Sequence, residues 1–176
     1  MIDRLETPVG WLAKASAMLG GSVLIALVII TVVSVTGRSL IAIGLGPIPG
    51  DFELIEAGTA LAVFAFLPWC QYNRGHARVE ILAKRYGIFL NNIIDLISEL
   101  AMLILWSYLI WRLWAGTLDK MSNGETTFIL QFPIWWAYAA CICASAVILI
   151  TATFCLARSA RNLMQHRAPR LEGFHP

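Results

Sequence analysis

The sequence predicts an all-α integral membrane protein with four membrane-spanning helices and a short amphipathic interfacial helix between the second and the third. Of its 176 residues, 59% are apolar and only 14% are charged, whereas an average soluble domain is about a quarter charged and under half apolar. The charged residues leave four apolar runs, and a helix of about 20 residues crosses the ~30 Å hydrocarbon layer. The net charge of +2 is too small and scattered for nucleic-acid binding, so no nucleic-acid partner is expected.

The first two spans are predicted at 15–37 and 53–72. No residue from Ala15 to Gly37 is charged, and this run is too long for the apolar part of a signal peptide, so we expect a retained anchor. Asp51 stands where an N-cap belongs, and Glu53 falls in the first turn of the second helix. Both carboxylates are therefore candidates for helix capping and for complementing the helix dipole.

The third and fourth spans are predicted at 92–114 and 132–157, which completes a single four-span domain over residues 1–176. The third span carries Asp95 and Glu99, which share a helix face because they are four residues apart. Ionisable residues at membrane depth suggest a function by default. They are interpreted either as part of a proton or sodium relay or as groups paired near the cytoplasmic interface with loop arginines or a partner subunit.

The distribution of positive charge predicts the orientation. Ten of the 13 Lys and Arg residues fall in the two termini and the loop between the second and third spans, and three fall in the other two loops. Because cytoplasmic segments are enriched in Lys and Arg, both termini are expected in the cytoplasm.

The loop between the second and third spans predicts the interfacial helix. From Arg78, apolar residues follow at Val79, Leu82, Ala83 and Tyr86, which is the spacing of one helix face. A basic amphipathic helix lies in the headgroup plane with its cations on anionic phospholipid. The alternative is a solvated helical loop with no special affinity for lipid.

Cofactor and metal sites are not expected. His76, His166 and His175 all lie outside the predicted spans, so paired axial ligands for a haem within the membrane are missing. Cys141 and Cys143 are two residues apart on a helix and point about 200° from each other, which does not make a metal site. We therefore expect neither a cofactor nor a catalytic centre.

Three motifs occur in a characteristic order. They are Glu53 at the start of the second helix, the loop sequence GHARVE over residues 75–80, and LQFPIWWAY over residues 130–138. In this order and spacing the chain resembles the small membrane subunit of tripartite ATP-independent periplasmic (TRAP) transporters, the DctQ type. Two departures from the family pattern are Glu80, where aspartate is commoner, and Phe132 in place of isoleucine.

The resemblance implies a non-catalytic subunit in a bacterial inner membrane. It would scaffold a large membrane subunit that performs sodium-driven uptake of an organic acid, which a periplasmic substrate-binding protein delivers. Aromatic and branched residues of the spans, among them Trp106, Tyr108, Trp111 and Phe154, are expected to pack against a partner helix and lipids. Residues expected to contact partners or lipid are Glu53, Glu56, His76, Arg78, Glu80, Pro133, Trp135 and Trp136.

Two other function classes are weighed against this one. A self-sufficient small four-helix proton-coupled exporter is the main alternative, but such exporters place an essential carboxylate in the first helix, and the run from Ala15 to Gly37 has none. An electron-transfer subunit would need axial ligands inside the spans, which the positions of the histidines do not provide.

Overall fold

The computed structural model describes residues 2–73 and 88–165. These residues form four long helices: α1 (Ile2–Ser39), α2 (Asp51–Tyr72), α3 (Ile88–Asn123) and α4 (Trp135–Met164). A 3₁₀ turn at Ile41–Ile43 follows α1, and no strand occurs within the described ranges. The predicted all-α four-helix class is confirmed, while the expected interfacial helix, with His76, Arg78 and Glu80, lies outside the described residues.

The helices differ greatly in length. At 1.5 Å per residue, α1 and α3 measure roughly 57 and 54 Å, and α2 only about 33 Å, close to the ~30 Å hydrocarbon thickness. The fourth helix starts at Trp135 rather than at the expected residue 132 and continues to Met164. Arg158 and Arg161 are therefore helical residues, although the sequence placed them in a tail.

Helix α4 is the centre of the bundle. It packs against each of the other three helices, whereas α3 packs mainly against α4. Its buried face carries small and branched residues, among them Ser145, Ile148, Thr151, Ala152 and Cys155. The buried hydroxyls of Ser145 and Thr151 donate to carbonyls one turn back, at 2.6 and 2.8 Å, so polar side chains are satisfied inside this apolar core.

Helices α1 and α2 meet along a line of mostly small or polar residues, which we call the α1–α2 seam. Its residues are spaced seven apart on each helix. They are Ala13, Gly20, Leu27 and Ser34 on α1 and Asp51, Gly58 and Ala65 on α2. The Ser16 hydroxyl donates to the Ala65 carbonyl at 2.8 Å. Small residues at this spacing let two membrane helices approach closely and pack at a shallow crossing angle.

The seam ends in a buried carboxylate. The Ser34 hydroxyl donates to Asp51 Oδ2 at 2.5 Å, Arg38 lies 3.7 Å from the same oxygen, and the Phe52 amide donates to Oδ1 at 2.9 Å. Asp51 was expected to be the N-cap, but it is the first residue of α2 and the cap is Gly50, whose φ is +77°. The Asp51 carboxylate therefore contacts α1 through one oxygen and the first turn of its own helix through the other.

We define two ends of the bundle. The loop end holds the α1–α2 and α3–α4 connections, and the terminal end holds the start of α1 and the end of α4.

Toward the terminal end, the buried Gln71 on α2 donates to the buried Glu99 on α3 at 2.7 Å. Trp106 Nε1 donates to Gln71 Oε1 at 3.4 Å. Trp106 and Phe154 are buried inside the chain, contrary to the expectation that they face a partner. Trp106 packs against Ile148 and Ala152 of α4, and the Phe154 ring stacks on Tyr72 of α2.

Replacing Gln71 with leucine should destabilise the contact between α2 and α3. The substitution removes the donor to Glu99 and the acceptor for the Trp106 N–H, and unsatisfied buried groups cost about 1–3 kcal/mol. Unfolding of the purified chain in detergent should show a loss of this size. Ser107→Ala, at an exposed position on α3, is the control; equal stability of the Gln71 variant and the control would refute the expectation.

Candidate functional site

The connection between α3 and α4 is an ordered hairpin, which we call the α3–α4 loop (residues 124–134). Thr126 and Pro133 form an isolated antiparallel bridge, and the Thr127 amide donates to the Phe132 carbonyl at 3.0 Å. Gln131 at the turn has a φ of +53°, a conformation that non-glycine residues adopt only where their surroundings hold them. The backbone contacts of the loop therefore account for part of its order.

The tip of this loop is bound to the start of α2. Both oxygens of Glu53 accept hydrogen bonds, from the Ile129 amide at 2.7 Å and from the Leu130 amide at 3.0 Å. Leu130 also covers Gly50, where an added Cβ would lie 2.5 Å from the leucine side chain. Glycine at position 50 is required twice, by its positive φ and by this contact. Glu53, expected to complement the helix dipole, thus joins the start of α2 to a loop that is distant in sequence.

The bound tip presents apolar side chains to the surroundings. Phe128 is 98% exposed, and the neighbouring Ile129 and Leu130 are also exposed. An exposed apolar surface of this kind is typical of regions that contact another protein or the membrane. We call Phe128, Ile129 and Leu130 the apolar tip.

Pro133, Trp135 and Trp136 stand together at the start of α4. Pro133 precedes the helix, and its carbonyl accepts the Trp136 amide at 3.1 Å. The two indole rings meet edge to face with centroids 6.1 Å apart, and Trp136 is exposed. Aromatic side chains at a helix end are typical of the membrane–water interface. These three expected contact residues are brought to one corner of the loop end.

An ion pair closes the base of the α3–α4 loop. The Lys120 ammonium donates to Glu125 Oε2 at 2.7 Å. This hydrogen bond holds the pKa of the Glu125 carboxyl below its usual value of 4.5, because it favours the ionised form.

Acidification should weaken this pair only below the usual titration range of a glutamate. Because the pKa is lower in the folded protein than in the unfolded chain, the stabilising contribution is present above pH 4.5 and is lost as the pH falls through the folded value. Carboxyl NMR titration of the chain in micelles should give a low Glu125 pKa that rises in Lys120→Met. An identical pKa in both proteins would contradict the assignment.

Glu56 lies on the next turn of α2 and is exposed. It lines a cleft of about 330 Å³ that α2, α3, α4 and the α3–α4 loop enclose together, with Glu53 at its rim. The structure therefore places Glu56 in one cleft with Thr127, Phe132 and Ile134 of the α3–α4 loop but does not join it to the loop by a hydrogen bond.

One cluster at the terminal end was not anticipated. The Arg158 guanidinium lies 5.6 Å above the Tyr72 ring and 5.9 Å from the Phe154 ring, donates to the Tyr72 carbonyl at 3.2 Å, and sits 3.9 Å from Glu6. It thereby connects α1, α2 and α4. In the sequence Arg158 counted only as a cytoplasmic charge, and its one local signal is the phenylalanine four residues earlier on the same helix face.

These features define a class of protein. All four helices are long and apolar enough to cross a membrane, so the protein is a multi-pass helical membrane protein. Within residues 2–73 and 88–165, no group of three or more His, Cys, Asp or Glu side chains could hold a metal ion. What the loop end offers is an exposed apolar surface on a rigid frame.

Comparison with known families specifies the class further. The family described as tripartite ATP-independent periplasmic transporters, DctQ component, matches residues 27–163. No significant match to a curated protein or to a solved structure is found. The chain belongs to the DctQ family and is a small membrane subunit of a TRAP transporter, which confirms the resemblance seen in the three sequence motifs.

Proposed function

We propose that this chain is the non-catalytic scaffold of a sodium-driven TRAP transporter in the bacterial inner membrane. In this role it holds a large membrane subunit that moves an organic acid, and a periplasmic substrate-binding protein delivers that acid. The family match over residues 27–163 carries the proposal. Support comes from the long apolar faces of α1 and α3, along which large hydrophobic side chains are exposed.

The two ends of the bundle receive different roles in this proposal. The positive charge count supports an orientation with both termini in the cytoplasm and the loop end on the periplasmic side. There the apolar tip, with Pro133, Trp135 and Trp136, would meet the large subunit or the binding protein, while Glu53 keeps the tip in place. On the cytoplasmic side, His76, Arg78 and Glu80 would contact phospholipid or partner side chains.

The exposed face of α3 is the second proposed contact surface. Tyr108 and Trp111 are both exposed, and their rings lie 6.0 Å apart. Because α3 packs mainly against α4, the rest of its surface remains available for helices of the large subunit. Ile97 and Ile104 extend this face toward the terminal end.

Reconstitution tests the proposal directly. The large subunit, the binding protein and this chain are placed in liposomes with an inward sodium gradient, and uptake of organic acids is measured with and without this chain. Uptake should fall to the level of empty liposomes when the chain is omitted. Full uptake by the large subunit and binding protein alone would refute an obligatory scaffold role.

The same liposome assay distinguishes the proposed scaffold from the alternative, a self-sufficient proton-coupled exporter. Liposomes that contain this chain alone should show no transport driven by a proton gradient. Proton-coupled transport by the chain alone would instead make it a self-sufficient exporter and overturn the proposed role.

A further inference from the structure

The cleft at the loop end has the shape of a site for one end of a small molecule. Its walls are apolar, and the α3–α4 loop closes it at the top through Thr127, Phe132 and Ile134; the wall residues are Ala57, Ala60, Phe64, Leu113, Ala137 and Cys141. Along α2 it runs from Glu56 to Phe64, about 12 Å at the helical rise per residue. That length lies within one leaflet, which is half of the ~30 Å hydrocarbon layer.

Four polar side chains line this cleft: Glu53, Glu56, Thr127 and Tyr138. Glu53 accepts the Ile129 and Leu130 amides, and the Thr127 hydroxyl accepts the Phe132 amide at 3.2 Å. Within residues 2–73 and 88–165, neither the Glu56 carboxylate nor the Tyr138 hydroxyl makes a hydrogen bond or an ion pair. Because the Glu56 carboxylate is exposed, a cationic group from outside the chain can reach it and donate a charge-assisted hydrogen bond. A small number of polar groups in an apolar cleft is the usual make-up of a site for a small amphipathic molecule.

The α3–α4 loop above the cleft distinguishes two possible occupants, a helix of another subunit and a membrane lipid. A helix of another subunit that crossed the membrane along α2 and α3 would have to continue through the α3–α4 loop, which the bonds to Glu53 hold over the cleft. A membrane lipid ends at the headgroup level and needs no such exit. The apolar walls suit its acyl chain, and Glu56 suits a cationic headgroup.

We propose that this cleft binds a phospholipid with a primary-amine headgroup. The ammonium donates to the Glu56 carboxylate, the Tyr138 hydroxyl donates to a phosphate or ester oxygen, and the upper part of one acyl chain lies against Ala60 and Phe64. A quaternary ammonium has no N–H to donate, and a headgroup without an amine leaves the lipid anionic and Glu56 without a cation. Affinity therefore decreases from phosphatidylethanolamine to phosphatidylcholine to phosphatidylglycerol.

Native mass spectrometry of the full chain tests this order. The purified, delipidated protein is titrated in detergent with phosphatidylethanolamine, phosphatidylcholine and phosphatidylglycerol of identical acyl chains. The ethanolamine lipid should bind about tenfold more tightly than the glycerol lipid, the effect of one charge-assisted hydrogen bond. Equal binding of these two lipids would overturn the proposal, and it is also the result expected if a basic side chain of another protein fills the cleft.

Three variants and one control locate the site. Glu56→Gln should abolish the preference for ethanolamine, Tyr138→Phe should weaken all three lipids, and Ala60→Phe should fill the cleft and reduce binding of every lipid. Asp119→Asn removes the same charge from an exposed position at the loop end and should keep the preference. A preference that survives Glu56→Gln, or that Asp119→Asn removes equally, would overturn the site.

Folding of each variant is checked by its thermal unfolding in detergent. Loss of the preference for the ethanolamine lipid is then interpreted only for variants that fold. Because Glu56→Gln is nearly isosteric at an exposed position, this variant keeps the test decisive even where Ala60→Phe fails to fold. The measurement uses this chain alone, so its failure leaves the proposed transport role untouched.

Discussion

Replacing Gly20 with leucine is expected to separate α1 from α2. A Cβ at this position would lie 3.1 Å from the Ala65 Cβ and 3.2 Å from the Ala62 carbonyl oxygen, so the remaining leucine atoms have no space. Overpacking of this kind costs about 1–3 kcal/mol, and here the obstacle is a neighbouring backbone that cannot rotate away. Denaturant-driven unfolding of the purified chain in micelles should show the loss.

The adjacent glycine is a matched control for this experiment. A Cβ at Gly21 meets no atom within 4 Å, so Gly21→Leu adds the same side chain and the same helix propensity without a clash. It should leave stability near that of the parent chain. Equal loss in both variants would mean that the α1–α2 seam does not limit the approach of the helices.

Replacing Glu53 with alanine is expected to release the α3–α4 loop. The Ile129 and Leu130 amides would lose both of their acceptors, and the strained backbone at Gln131 would have less to hold it. Hydrogen exchange of these two amides should accelerate by at least about tenfold, as expected for loss of a hydrogen bond to a charged group. In the assembled transporter, binding through the apolar tip should weaken as well.

Two further variants make this result specific. Glu53→Gln keeps one carbonyl acceptor and should give intermediate exchange rates. Asp119→Ala removes an exposed carboxylate at the same end of the bundle and should leave exchange unchanged. Unaltered exchange at Ile129 and Leu130 in Glu53→Ala would show that the loop holds itself.

The number and rough position of the helices could be predicted because a bilayer requires long uncharged segments. Their arrangement could not, since nearly every face of these helices is apolar and no amphipathic stripe indicates which faces meet. The α1–α2 seam was visible in principle as the seven-residue spacing of Ala13, Gly20, Leu27 and Ser34 on α1. The central position of α4, with Ser145 and Thr151 buried, follows only from the packing itself.

The candidate contact residues could likewise be predicted, whereas the bonds that position them could not. Glu53, Pro133, Trp135 and Trp136 were predicted as contact residues, and the structure gathers them at one end of the bundle. The Ile129 and Leu130 amides bond to Glu53 across 76 and 77 positions of sequence. Contacts over such a distance leave no local sequence pattern. Asp95 and Glu99 were interpreted by their shared face, but what matters for Glu99 is Gln71 on another helix, which no spacing rule reveals.

The α1–α2 seam also has a consequence for biosynthesis. Its two halves are adjacent in the chain and separated only by the short connection after Ser39, so they can pair in the membrane as soon as α2 has been inserted. Helix α3 emerges next but has its main packing partner, α4, still to come. Assembly of the nascent chain is therefore expected in two steps, first an N-terminal hairpin and then the closure of α4 between that hairpin and α3.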